Sequence, residues 1–236
     1  MKSFKAELVA RIKRTHRVES FRFVSNRIID FIPGQFLRLI FDEGNEQNKA
    51  LNKYLSFSAS PTKQYIEVTK KLGDSPFSQR LRDLNIGDKV LFQAPLGQCV
   101  FDAKYRSIVF LIGGIGITPV ISIIEYVVDS RLDTQIELFY ANSTEADIAF
   151  RKELDCWQSR NSNIKVFYIV SDWEGEDERY IRGVIDKNLI RQNVKDLKDK
   201  VFFIFGPPAM VESMKNLSVE LGCSKDKIKT ESFIGY

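Results

Sequence analysis

The run Phe110-Leu111-Ile112-Gly113-Gly114-Ile115-Gly116-Ile117-Thr118-Pro119 joins an apolar strand to a helix through glycines. Residues Ser107 to Ile112 read as a buried parallel strand. Thr118 as N-cap and Pro119 as first helical residue then open a helix over Val120 to Val128. Glycines leave the backbone N–H groups of the turn uncovered, and the amides and dipole of the following helix point at it. The pyrophosphate of a dinucleotide can lie against such a backbone. A plain strand-to-helix turn would share much of this pattern. The spacing also departs from the G-x-G-x-x-G fingerprint, because Pro119 stands where its third glycine would be, and this points to a different nucleotide-binding family.

A second helix start has the same chemical potential. Ser75 is suited to an N-cap, Pro76 to the first helical position, and Phe77, Leu81 and Leu84 recur on one face before Gly87. Its free amides, with Ser78 as an added donor, suit a second pyrophosphate or serve only to cap the helix. The single histidine, His16, sits in the polar run Arg14-Thr15-His16-Arg17 and reads as solvated, not catalytic.

Two kinds of periodicity position these turns. Up to about Asp102, short strand-like runs alternate with turn signals: Ala6 to Ile12, Val18 to Val24, Gln35 to Phe41, Tyr54 to Ser58, Ile66 to Lys70 and Lys89 to Gln93. That half predicts an antiparallel β-barrel. From Ser107 onward strands alternate with helices, starting at Ser107, Val120, Gln135, Asp147, Ile164, Lys187, Lys200 and Met210, which predicts a parallel sheet covered by helices. The expected division is therefore a barrel domain over 1–103 and an α/β domain over 104–236.

With 44% hydrophobic and 28% charged residues, 236 residues suffice for one large core or two modest ones. The first residues carry no apolar signal-like region and no apolar run is long enough to span a bilayer, so the expected location is cytoplasmic. Cys99, Cys156 and Cys223 are odd in number and far apart. They lack the spacings that hold zinc or an iron-sulfur cluster, so they read as buried thiols and no metal site is expected. The net charge of +4 reads as modest and spread along the chain. It gives little support to a nucleic-acid partner and leaves the docking of an acidic protein open.

Barrel, parallel sheet and the Gly-Gly-x-Gly-x-Thr-Pro turn together resemble the ferredoxin-NADP reductase family of flavoenzymes. Further motifs agree, in order. Pro33-Gly34-Gln35-Phe36 resembles its barrel turn, Lys53 to Pro61 its flavin motif R-x-Y-[ST], and Gly73 to Ser78 its second flavin segment. Tyr140-Ala141-Asn142 with Asp147 to Phe150 resembles the segment after the second strand of the nucleotide domain. Phe205-Gly206-Pro207-Pro208-Ala209-Met210 resembles its C-G-P-P-x-M turn, and Glu231 to Tyr236 its carboxyl end.

The resemblance implies FAD held by Lys53, Leu55, Ser56, Phe57, Ser58, Gly73, Ser75 and Ser78, with Ser56 near flavin N5 and Phe233 or Tyr236 covering the ring. It implies NADH or NADPH on Gly113, Gly114, Gly116, Thr118, Pro119, Gly206 and Pro207, with Glu231 beside the nicotinamide. Phe205 replaces the family cysteine there, either as a hindrance to the nicotinamide or as a bystander in an apolar strand. Lys53 keeps a charge but not the planar fork of arginine, and Leu55 offers an apolar wall without ring stacking. Ser143 and Asp172 stand where members that prefer a 2′-phosphate carry arginine. A carboxylate would repel that phosphate and accept hydrogen bonds from a free ribose diol, which favours NADH. The implied activity is hydride transfer from NAD(P)H to flavin and onward electron transfer to a small carrier such as ferredoxin or flavodoxin. The alternatives are a reductase of free flavin and a non-catalytic nucleotide-binding subunit.

Overall fold

The computed structural model describes residues 2–233. The chain divides into two compact units. One comprises the residues through Phe101 together with Thr118–Asp129; the other comprises Asp102–Ile117 and the residues from Ser130 onward.

The first unit is built on β1 (Lys2–Lys13), β2 (Val18–Val24), β3 (Phe36–Ile40), β4 (Asn52–Ser56), β5 (Ile66–Lys71), a short helix α1 (Pro76–Arg82) and β6 (Lys89–Leu96). The strands pair antiparallel in the order β4-β3-β6-β1-β2-β5. Just beyond β4, Phe57 bridges Val68 and the Ser58 N–H donates to the Glu67 carbonyl at 2.8 Å, joining the two edge strands into a barrel. Alternation sets the inside: Phe4, Ala6 and Leu8 of β1, Phe21 and Phe23 of β2, and Leu37 and Leu39 of β3 fall two residues apart and share one buried cluster. Phe77, Leu81 and Leu84 at the helical end of this unit join it.

In the second unit β7 (Ser107–Gly113) leads into a 3-10 turn at Gly114–Gly116 and helix α2 (Ile117–Asp129), most of which groups with the barrel. There follow β8 (Gln135–Asn142), α3 (Arg151–Arg160), β9 (Ile164–Val170), β10 (Tyr180–Arg182), α4 (Lys187–Asn193), β11 (Val201–Gly206), α5 (Pro208–Glu220) and β12 (Ile228–Ser232). All these strands are parallel, in the order β10-β9-β8-β7-β11-β12. The chain starts at β7, works outward to β10, and returns to the other side of β7. Strand direction of travel therefore reverses between β7 and β11, the place where open parallel sheets hold their ligands.

Several boundaries differ from the sequence expectation. Helix α2 begins at Ile117, so Pro119 is its third residue and Thr118 is not its cap. Proline fits there because the first four N–H groups of a helix have no intrahelical acceptor. Helix α3 begins at Arg151, not Asp147, since Phe150 takes the left-handed conformation (φ 60°) and separates it from a 3-10 turn at Glu145–Asp147. Strand β10 was not foreseen, and the last strand, read as ending in Phe233, is Ile228–Ser232. Of the cysteines only Cys223 is buried; Cys99 and Cys156 are half-buried. Among the described residues no helix is long and apolar enough to cross a membrane.

Candidate functional site

At the carboxyl ends of β7 and β11 the backbone is packed too closely for side chains. A Cβ on Gly116 would fall inside contact distance of the Phe205 carbonyl oxygen and of the Gly206 nitrogen, and Gly114 takes φ +51°. Only glycine meets both demands. A Cβ on Gly206 would meet the Met210 sulfur at 3.3 Å and the Gly113 nitrogen at 3.4 Å, and one on Gly113 would fall inside contact distance of the same sulfur, so Met210 packs against both glycines, with Pro207 following Gly206.

Register brings the end of β12 to this place. Phe205 pairs with Glu231 and Gly206 with Ser232, and the Phe233 N–H donates to the Gly206 carbonyl at 3.0 Å. The Phe205 ring is fully buried, its centroid 5.8 Å from that of Phe203 and 6.5 Å from that of Phe233. Glu231 Oε2 is buried with no hydrogen-bond partner among the described residues, and burial pushes its carboxyl up to about 7. Ser143 and Asp172 also meet: the Asp172 N–H donates to the Ser143 carbonyl at 3.0 Å, at the carboxyl ends of β8 and β9. The Ser171 hydroxyl donates to Asp172 Oδ1 at 2.9 Å, which holds that carboxylate at the loop surface.

In the barrel, Ser56 is buried and its Oγ has no partner among the described residues. An unpaired buried hydroxyl costs about 1–3 kcal/mol, and a ligand that accepted or donated a hydrogen bond there would recover it. Its neighbours are placed otherwise. Leu55 belongs to the barrel's apolar cluster, Phe57 stacks on Phe31 with ring centroids 3.8 Å apart, and Ser58 Oγ lies 2.7 Å from Thr69 Oγ1. These three are held by the barrel itself.

Lys53 has company that sequence reasoning missed. Lys70 is buried at the end of β5, and its ammonium is pulled down to about 8, first by burial and then by the charges of Lys53 and Lys71. Lys70 Nζ donates to the Lys71 carbonyl at 3.0 Å, and Lys53 and Lys71 are half-buried; an anion sharing the place would offset the repulsion of the three charges. The signal was present as the pair Lys70-Lys71 closing the strand. The next turn is tied together by its hydroxyls: Ser78 N donates to Ser75 Oγ at 3.2 Å, Ser75 Oγ donates to Ser78 Oγ at 3.0 Å, and Gly73 N donates to Ser78 Oγ at 3.3 Å. Thr118 and Pro119 lie in the first turn of α2, with Thr118 buried. Tyr236 lies outside the described residues.

Comparison with known proteins agrees with this fold. Residues 110–216 match the family described as the oxidoreductase NAD-binding domain. NADH-cytochrome b5 reductase 1 of Aspergillus terreus is 27% identical over 227 residues, covering 89% of this chain and 75% of that protein. Nitrate reductase [NADH] of Cucurbita maxima is 31% identical over 148 residues, which are 57% of this chain and 16% of that enzyme, so the chain spans a small part of that relative. The crystal structure of a ferredoxin NADP+ reductase from Neisseria gonorrhoeae with bound FAD and NADP superposes with a TM-score of 0.84 at 19% identity, covering 98% of this chain and 99% of that one. The fold, an antiparallel near-barrel with a parallel six-stranded sheet, is the one that structure shares.

Proposed function

We propose that the chain is an NAD(P)H-dependent flavoprotein reductase, with an FAD-binding barrel over 1–103 and a nicotinamide dinucleotide domain over 104–236. The observation that carries the flavin half is the buried Ser56 Oγ, without a hydrogen-bond partner among the described residues, in a barrel that also brings Lys53, Lys70 and Lys71 together. A hydroxyl and a cationic cluster are what the ring edge and the pyrophosphate of a flavin dinucleotide would need, so the residues present fit the group. When bound, FAD would supply a ring that takes hydride from a reduced nicotinamide and gives electrons up one or two at a time. The chain's own part is positional. Lys53, Lys70 and Lys71 neutralise the pyrophosphate, Ser56 fixes the ring edge, and Leu55 supports it from the core. The turn at Gly114–Gly116 receives the nicotinamide dinucleotide, and Glu231 stands ready to hold or release a proton near neutral pH.

Two finer readings belong to the proposal. NADH is the preferred donor, because Ser143 and Asp172 offer no cation to a 2′-phosphate and Asp172 suits a ribose diol. The acceptor is a small acidic electron carrier of the ferredoxin or flavodoxin kind. Its support is charge: residues 1–101 carry 17 Lys and Arg against 10 Asp and Glu, a net +7, whereas residues 102–236 carry 18 against 21, a net −3. The charge is thus not spread along the chain, as its total suggests, but concentrated in the barrel half. Anaerobic stopped-flow reduction with each nicotinamide tests the donor. Faster reduction by NADPH would refute that choice, and Asp172→Arg is expected to narrow the NADH advantage. A second reading, reduction of free flavin, is favoured by Lys53 and Leu55, which hold a flavin less firmly than arginine and tyrosine would. Turnover of added FMN or riboflavin by colourless protein would select it.

A further inference from the structure

Helix α2 is apolar through its buried residues Val120, Ile121, Ile123, Ile124 and Val127, but it carries two carboxylates, Glu125 and Asp129, one turn apart on the same face. Both are engaged by the loop that follows β4. The Ser60 N–H donates to Glu125 Oε2 at 2.7 Å and the Thr62 hydroxyl donates to Asp129 Oδ2 at 2.5 Å. Lys63 Nζ lies between them, 3.3 Å from Glu125 Oε1 and 2.8 Å from Asp129 Oδ2. The loop is preshaped for this. Ser60 Oγ and Thr62 Oγ1 are 2.8 Å apart, and Thr62 N–H donates to Ser60 Oγ at 3.2 Å, a local turn that aims an N–H, a hydroxyl and an ammonium the same way. The other charged or titratable groups that act on Glu125 or feel it, Arg22 and Tyr65, belong to the same barrel unit.

Two carboxylates at this spacing repel, and Glu125 is largely withdrawn from water, so apolar contact alone would attach the helix at less cost. What the polar arrangement adds is register. Hydrophobic packing tolerates sliding and rotation of a helix, whereas three directed donors on two carboxylates one turn apart allow one axial position. The loop end of this attachment, Ser60, lies four residues beyond Ser56, and the helix end, Glu125, lies seven beyond Thr118.

We propose that Glu125, with Lys63 and Asp129, is a positioning latch that fixes α2 against the β4 loop and thereby sets the first turn of α2 in register with Ser56. This rests on the reductase reading above, in which Ser56 meets the flavin and the turn before α2 meets the nicotinamide dinucleotide. The latch touches neither cofactor. Its loss is expected to change how productively the bound nicotinamide is placed, not whether it binds.

The test uses Glu125→Leu and Glu125→Gln in the full chain. Hydrogen exchange reads the latch itself: the Leu variant is expected to raise exchange at Ser60 to Lys63 about tenfold, while Gln, which keeps an acceptor for the Ser60 N–H, protects that segment better. Flavin reduction reads its consequence. At saturating NADH the limiting rate is expected to fall about tenfold in the Leu variant and less in the Gln variant, with the apparent NADH dissociation constant and flavin content within about twofold of the parent. A merely structural role would lower melting temperature and flavin content together and leave the limiting rate of the loaded fraction unchanged, and that result overturns the proposal. Unchanged exchange in the Leu variant overturns it as well. Should that variant fail to fold, Lys63→Met leaves the Ser60 bond in place and is expected to slow the limiting rate about threefold; an unchanged rate overturns the latch. If the parent protein is not reduced by NADH at all, the reductase reading fails, and the exchange comparison still decides whether the latch exists.

Discussion

Glu231 illustrates how much a single buried atom can contribute. Its carboxyl is raised to about 7 because burial penalises the ionised form. The folded chain therefore keeps a proton that the unfolded chain releases above about pH 4.3, and the stability this group contributes is full below that pH and lost as pH rises to about 7. Glu231→Gln, which carries no charge, is expected to gain stability over the parent through that window by about 1–2 kcal/mol after screening, and to level off above it. Melting temperatures from pH 4 to 9 would show it, and a constant difference across the range would contradict it. Phe205 makes the opposite case. With its ring buried against Phe203 and Phe233, Phe205→Cys is expected to cost about 2–4 kcal/mol through the cavity it leaves. A stability loss without a change in the rate of flavin reduction would identify the ring as core, and a faster reduction would identify it as an obstacle to the nicotinamide. The position of Ser56 was legible in the motif around it, but its burial without a partner was not. Lys70 was overlooked because a strand lysine reads as solvent-facing until the charges around it are known.

Among the elements, the turn after β7 is where sequence and structure agree best, since three glycines, a strand and an apolar helix leave few arrangements. Even so, the helix starts before the Thr118-Pro119 pair, because a 3-10 turn at Gly114–Gly116 delivers the chain to α2 already helical. Gly116→Ala is expected to push that turn away from the Phe205 carbonyl and to weaken NADH binding about tenfold, about 1.4 kcal/mol, with flavin content unchanged. Calorimetric titration of the variant would measure this, and undiminished affinity would show that the close approach is not needed. Strand β10, and the bounds of β12, escaped the sequence for a physical reason. Both are sheet edges, three and five residues long, and Ile228–Ser232 carries only half-buried or exposed positions, so neither shows the apolar run of a central strand. The left-handed Phe150 that delays α3 leaves no trace in residue type, because most positions of that conformation are taken by glycine or asparagine.

For the molecule as a whole, the uneven charge predicts behaviour that the total of +4 conceals. With a net +7 in the barrel half, electron transfer to an acidic carrier is expected to slow steeply with ionic strength, while reduction by NADH responds far less. Matching salt dependence in the two half-reactions would contradict a docking role for the barrel's charge. The order of barrel and parallel sheet could be read from the change in periodicity near residue 102. The grouping of α2 with the barrel could not, because it depends on contacts between residues some sixty positions apart, such as Ser60 with Glu125. The central claim, that the barrel holds a flavin which a nicotinamide reduces, is tested most directly by following the visible spectrum of the purified protein during anaerobic addition of NADH. The account predicts a yellow protein that releases FAD on denaturation and whose flavin band bleaches with about one equivalent of NADH. A colourless protein that takes up no added FAD, or a flavin band that NADH leaves unchanged, would contradict it.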